Sequence, residues 1–125
     1  APSHQPLKYG YPQQARAMTL RDIRDYRRWH RDAAVRAKRA GFDIVYIYAA
    51  HDLSLAMHFL QQRRNHRSDQ YGGSLENRVR LLRELISDTM EGLERIRRIV
   101  QQAQMMAPVQ LDEHETLVDL GDAIG

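Results

Sequence analysis

Gly41-Phe42-Asp43-Ile44-Val45-Tyr46-Ile47-Tyr48-Ala49-Ala50-His51 is the stretch whose reading decides the fold. From Asp43 to Ala49 the residues are β-branched, aromatic or small, which suits a pleated backbone. Ile44, Tyr46 and Tyr48 fall on one face, and Val45, Ile47 and Ala49 on the other. Both faces are apolar, the pattern of a parallel strand covered on both sides. The spacing predicts a strand over Asp43–Ala49 with Tyr48 and His51 at its carboxyl end.

Upstream, Thr19 is an N-cap with Asp22 three residues on, a carboxylate version of the capping box. A helix is predicted from Leu20 to about Ala40, with Ile23, Tyr26, Ala33, Ala37 and Ala40 on one face and His30 filling the gap. Gly41 stands where a C′ glycine ends such a helix. Residues 1–18, with Pro2, Pro6, Gly10 and Pro12, read as loop.

Downstream, Leu53–Leu60 reads as a short helix, Gln61–Tyr71 as a polar basic loop and Gly72-Gly73 as a turn. Ser74 caps the next helix. Val79, Leu82, Ile86, Thr89, Leu93, Ile96, Val100 and Ala103 then alternate steps of three and four, a heptad-like seam that predicts one helix from Leu75 to Met106. Pro108 stops it. Asp112 with Glu115 starts a short terminal helix whose face is Leu117, Leu120 and Ile124.

Tyr48-Ala49-Ala50-His51, followed by Tyr71-Gly72-Gly73-Ser74-Leu75-Glu76-Asn77-Arg78, resembles one β/α unit of the old yellow enzyme family. Within it, the likeness is to the branch of trimethylamine dehydrogenase and the N-demethylating amine dehydrogenases. The resemblance covers roughly residues 1–91. It implies an α/β fold: one unit of a flavin-binding (β/α)8 barrel, here followed by a long and a short helix. Residues 1–18 would be loop, 19–91 the barrel-like α-β-α unit and 92–125 a divergent helical tail. A whole barrel takes about 250 residues and this chain has 125, so the expectation is a fragment, inactive alone.

Catalytic groups of such barrels stand at strand carboxyl ends. Ene-reductases of the family are expected to carry His-x-x-His or His-x-x-Asn there, whereas Tyr-x-x-His resembles the amine-oxidising members. The resemblance implies FMN as cofactor and a small amine as substrate. Tyr48 would shape the substrate face, and His51 would hydrogen-bond or accept a proton. No flavin-binding residue is assigned. On periodicity alone, Tyr48 is a β-favouring strand residue and His51 a loop residue satisfied by backbone or water. Tyr71–Arg78 is expected to be structural, with Arg78 pairing with a carboxylate or a carbonyl.

The chain departs from the family pattern after His51, where Asp52-Leu53-Ser54 replaces a Gly-Tyr-Leu type of sequence, and at Phe59-Leu60-Gln61-Gln62, which lacks a loop proline. Beyond Gly92 the next barrel strand is due, and the sequence reads as helix instead.

With no cysteine, disulfides and thiolate metal sites are excluded. No metal site is expected from the six histidines. No apolar run approaches a membrane span, and the cytoplasm is the expected compartment. Residues 1–75 hold thirteen Lys+Arg against six Asp+Glu, and 76–125 six against ten. The arginines of 21–39 interleave with Asp22, Asp25 and Asp32, which predicts a solvated helix face with ion pairs, so nucleic acid is not an expected partner. A reading of another class is a small helical interaction module that forms a homo-oligomer, or binds a partner chain, through the heptad seam of its long helix.

Overall fold

A computed structural model describes residues 1–6 and 13–106. The elements in order are β1 (Gln5–Pro6), β2 (Gln14–Ala15), α1 (Leu20–Arg39), α2 (Leu55–Leu60) and α3 (Leu75–Met106). Pro108 and the terminal helix read from Leu117, Leu120 and Ile124 lie outside the described residues. Within the N-terminal 18 residues, expected to be loop, β1 and β2 pair antiparallel, with Gln5 opposite Ala15 and Pro6 opposite Gln14.

Helix α1 begins as its cap predicts. Thr19 Oγ1 accepts from the Asp22 amide at 3.1 Å, and the Asp22 carboxylate accepts from the Thr19 amide at 2.7 Å. Two of the orphan amides of the first turn are thereby satisfied. The helix ends in a Schellman motif: the Phe42 amide reaches the Ala37 carbonyl and the Gly41 amide the Lys38 carbonyl, each at 3.1 Å. Gly41 has φ +87°, the left-handed conformation this stop demands.

The apolar face of α1 is narrower than its sequence suggested. Ile23 and Ala34 are buried, while Ala33 and Ala40 are exposed. On α3 the face that enters the core is Leu81, Leu85 and Thr89. The seam lies beside it: Leu82 packs against the core, but Ile86 is 41% and Val100 47% exposed. Thr89 is common to the seam and the buried face, whereas Leu81 and Leu85 sit one step off the heptad register that the seam followed.

The core gathers Ile23 of α1, Ala56 and Phe59 of α2, Tyr71, and Leu81 and Leu85 of α3. Phe59 and Tyr71 meet edge to face, with centroids 6.3 Å apart. At 32 residues, α3 is about 48 Å long against about 30 Å for α1, so its C-terminal part extends past the packed region and stays exposed.

Asp43–Ala49 forms no strand and belongs to no ladder among the described residues, which corrects the expectation of a strand covered on both sides. Its alternation survives. Ile44, Tyr46 and Tyr48 are exposed, and Val45, Ile47 and Ala49 are half-buried, with Ile47 and Ala49 packed against the core. The side chains therefore obey the period-2 rule on a backbone that lacks neighbouring strands.

Candidate active site

The site begins just after Ala49. The Leu53 amide points to the Ala50 carbonyl at 3.4 Å, and the two residues between, His51 and Asp52, have φ of +55° and +56°. Consecutive positive φ values belong to a type I′-like reversal, usually made by Gly, Asn or Asp. His and Asp enter this region more readily than most side chains. The turn folds His51 back onto Tyr48, so their rings stack with centroids 5.7 Å apart and planes 18° from parallel. The Tyr48 hydroxyl and His51 Nδ1 are in direct polar contact. Both sequence-predicted site residues are thus brought together.

The inner side of the turn is locked by residues that the sequence reading left unassigned. Asp52 accepts from Arg64 Nε at 3.0 Å and also from its Nη2, while Arg63 Nη2 stands 3.5 Å away. The Arg64 fork is the main reason the Asp52 carboxyl is lowered to about 2, and Gln61 and Arg63 add to it. His58 Nε2 donates to the Asp52 carbonyl at 3.0 Å, which leaves Nδ1 to accept from Gln5 Nε2 at 3.3 Å. A chain of contacts therefore runs from β1 through α2 to the residue beside His51. The signal available in sequence was the pair of basic residues Arg63-Arg64 near Asp52, and without the turn nothing fixed their partner.

A second lock ties the following loop to the N-terminal segment. Arg67 forks onto Asp69, with Nε to Oδ1 at 3.0 Å, and its Nη1 donates to the carbonyls of Pro2, at 3.0 Å, and Met18. Buried Asn65 donates to the carbonyls of Phe59 at 2.8 Å and Tyr71 at 2.7 Å. Gly72 passes so close to Arg67 that a Cβ there would lie 2.1 Å from the Arg67 carbonyl oxygen. The motif Tyr71–Arg78 is accordingly structural. Ser74 Oγ accepts from the Asn77 amide at 3.3 Å, and Arg78 donates to the carbonyls of Leu60 at 3.0 Å and Gly73 at 2.7 Å. Arg64 and Arg67 are engaged within the protein.

Chemically, the Tyr48–His51 pair can hold one proton between a phenol oxygen and an imidazole nitrogen. His51 Nε2 has no partner among the described residues. Beside the pair, Ile44 and Tyr46 extend an exposed apolar and aromatic surface. Among the described residues no group of three or more His, Asp or Glu could hold a metal ion, and no helix is long and apolar enough to cross a membrane.

The family model described as NADH:flavin oxidoreductase / NADH oxidase matches residues 2–117. Among curated proteins, the NADPH dehydrogenase of Bacillus pumilus is 50% identical over 74 residues, 59% of this chain and 22% of that protein. The cinnamate reductase of Clostridium sporogenes is 39% identical over 88 residues, 70% of this chain and 13% of that one. Among solved structures, the 6-hydroxypseudooxynicotine amine oxidase of Pseudomonas geniculata is 56% identical with a TM-score of 0.71, covering 74% of this chain and 14% of its own. Histamine dehydrogenase from Rhizobium sp. is 46% identical with the same TM-score, over 74% of this chain and 15% of its own. This chain spans about a fifth of the length of the NADPH dehydrogenases it matches. It belongs to the NADH:flavin oxidoreductase / NADH oxidase family, the family of the old yellow enzymes.

Proposed function

We propose that this chain is the substrate-side unit of an FMN-dependent amine dehydrogenase or demethylase, with Tyr48 and His51 facing the amine. The observation that carries the reading is the Tyr48–His51 contact at a reversal with two positive φ values. Such a conformation is held against its intrinsic cost of about 1–3 kcal/mol per residue only where the surroundings over-determine it, and such positions cluster at functional sites. Here the Asp52–Arg64 fork does that. The amine class is supported by two solved relatives, an amine oxidase and a histamine dehydrogenase, that are 56% and 46% identical to this chain over the matched part.

The described residues fit one wall of a flavin site, not the whole holder. A flavin phosphate needs a cluster of amides or free cations, and Arg63 and Arg64, beside the turn in the structure, are directed to Asp52. FMN, when bound, supplies the acceptor for a hydride from the carbon next to the amine nitrogen. The work of this chain is to orient the substrate. The tyrosine and histidine give a donor and an acceptor on one side of a small amine, and the exposed rings of Tyr46 and Tyr48 give a surface against which a cation or its neutral lone-pair form can rest. His51 can accept a hydrogen bond or a proton from the amine.

Titrating the chain into FMN and following flavin fluorescence tests completeness. Weak, non-stoichiometric quenching is expected, and stoichiometric binding with bleaching by a secondary or tertiary amine would show that the unit suffices alone. For the site itself, residues 2–106 are exchanged for the matching segment of the Rhizobium histamine dehydrogenase. Tyr48→Phe and His51→Ala in that chimera are expected to keep flavin content and slow amine-driven bleaching at least tenfold. Unchanged bleaching in both variants overturns the site.

A further inference from the structure

An apolar groove on α3 is floored by Met90, Leu93, Ile96 and Val100 and bordered by Lys38 and Arg39 at the end of α1. Met90 is 65% and Val100 47% exposed. Thr89 is buried, so the open stripe follows Ile86, Met90, Leu93, Arg97, Val100 and Gln104 rather than the heptad seam itself. An apolar stripe left open along a helix in this way suits contact with another helix.

The spacing of this stripe reads the same in both directions. Its steps are four, three, four, three and four, so an identical helix laid antiparallel meets it residue for residue: Ile86 opposite Gln104, Met90 opposite Val100, Leu93 opposite Arg97. Two copies related by a two-fold axis level with Arg95 make each contact twice. The length they share, residues 84–106, rises about 33 Å.

The charges choose the direction. Residues 84–94 hold Glu84, Asp88, Glu91 and Glu94 and no Lys or Arg, whereas 95–98 hold Arg95, Arg97 and Arg98. Antiparallel pairing sets the acidic block of each copy against the basic block of the other, and parallel pairing sets arginine level with arginine. At the edge of the groove, Arg97 Nη2 lies 2.9 Å from Glu94 Oε1 within the chain, and both side chains are exposed. In the antiparallel register Glu94 of one copy stands within one residue rise, about 1.5 Å, of level with Arg97 of the other. Two intrachain pairs thereby close into an alternating ring of four charges. Exposed ion pairs add little affinity, but like charges in juxtaposition penalise the wrong orientation. The apolar residues therefore supply the affinity and the ring supplies the direction.

We propose that this face of α3 pairs antiparallel with the same face of a second copy of this chain, Met90 against Val100 and Glu94 beside Arg97 across the two-fold axis.

Sedimentation velocity of the full chain over a range of concentrations reads the association, and a dimer that dissociates on dilution is expected. Arg97→Glu leaves two acids on each edge and Glu94→Arg two bases. Each alone is expected to weaken dimerisation about tenfold at low salt. Mixed in equal amounts, the two variants are expected to recover a heterodimer, which damage to the fold would not produce. Orientation is read from cysteine variants, since the chain has no cysteine of its own. Met90→Cys mixed with Val100→Cys is expected to form more interchain disulfide than either alone, because like positions lie about 15 Å apart along the helix in this register. Far-UV circular dichroism checks that each variant keeps its helices. A monomer at every concentration assigns the groove to another occupant and overturns the proposal. So does a dimer indifferent to the charge changes, or disulfide formed best between like positions.

Discussion

Arg27 of α1 lies fork to fork on Asp88 of α3, with Nε to Oδ2 at 2.7 Å and Nη2 to Oδ1 at 2.9 Å, and its Nη1 also reaches Glu84 at 3.0 Å. Glu84 in turn accepts the Tyr71 hydroxyl at 2.8 Å. This one guanidinium therefore joins α1, α3 and the loop that precedes α3. About a quarter of each side chain is exposed, so water still screens the pair. Arg27→Ala is expected to destabilise the fold by about 1–2 kcal/mol in urea unfolding. Arg27→Lys should recover only part of it, because an ammonium cannot make the fork. A double-mutant cycle with Asp88→Ala isolates the coupling.

Gly72→Ala is expected to cost more than Gly73→Ala. The added Cβ at 72 meets the Arg67 carbonyl oxygen at 2.1 Å, so backbone must move, a change of about 1–3 kcal/mol or more. At 73 the space is open and only the positive φ of +77° is unfavourable, about 1–2 kcal/mol. Thermal midpoints of the two variants decide it.

The Asp52 carboxyl is lowered from its ordinary value of 3.8 to about 2, first by Arg64. A carboxylate stabilised in the folded state contributes stability above its unfolded pKa and loses it as pH falls through the folded one. Stability should therefore decline between about pH 4 and pH 2. Asp52→Asn is expected to remove that part of the pH dependence, read from urea midpoints across the range.

His30 behaves in the opposite chemical sense. Its pKa is lowered by burial, and its Nδ1 lies 3.4 Å from Thr89 Oγ1 of α3. The neutral ring is favoured in the fold, so its contribution is full above the ordinary value of 6.5 and falls away as pH drops below it. His30→Gln should flatten the stability profile on the acid side of neutrality.

His51→Gly is expected to raise stability by about 1 kcal/mol, because glycine adopts φ +55° without the Cβ conflict. The same change removes the imidazole from Tyr48. A gain in thermal midpoint together with loss of amine-driven bleaching in the chimera identifies a residue kept at the expense of stability.

Much of this architecture was legible because local chemistry decided it. The Thr19 cap, the Gly41 stop, the Ser74 cap and the reach of α3 from Leu75 to Met106 all rest on contacts within a few residues. Tyr48 and His51 were legible through their resemblance to the family, and their meeting follows from a three-residue separation and one turn. The partners of Asp52 were not, since Arg64 is twelve residues away and its direction is set by α2 and the loop after it. The phase of the α3 core face was hidden for a related reason: which of two adjacent apolar stripes is buried depends on where α1 and α2 lie against it. Ladder partners for Asp43–Ala49 could not be inferred from its own pattern, because alternation reports the two faces of a backbone and not its edges.

Those bare edges have a consequence for the chain in solution. Asp43–Ala49 is β-branched and aromatic, carries a single charge and no proline, and its amides and carbonyls find no ladder among the described residues. Such a ribbon is a template on which identical ribbons stack, so solubility of the isolated chain will be governed by these seven residues rather than by its net charge. Tyr46 is 80% exposed, and Tyr46→Lys is expected to act as a gatekeeper against that stacking.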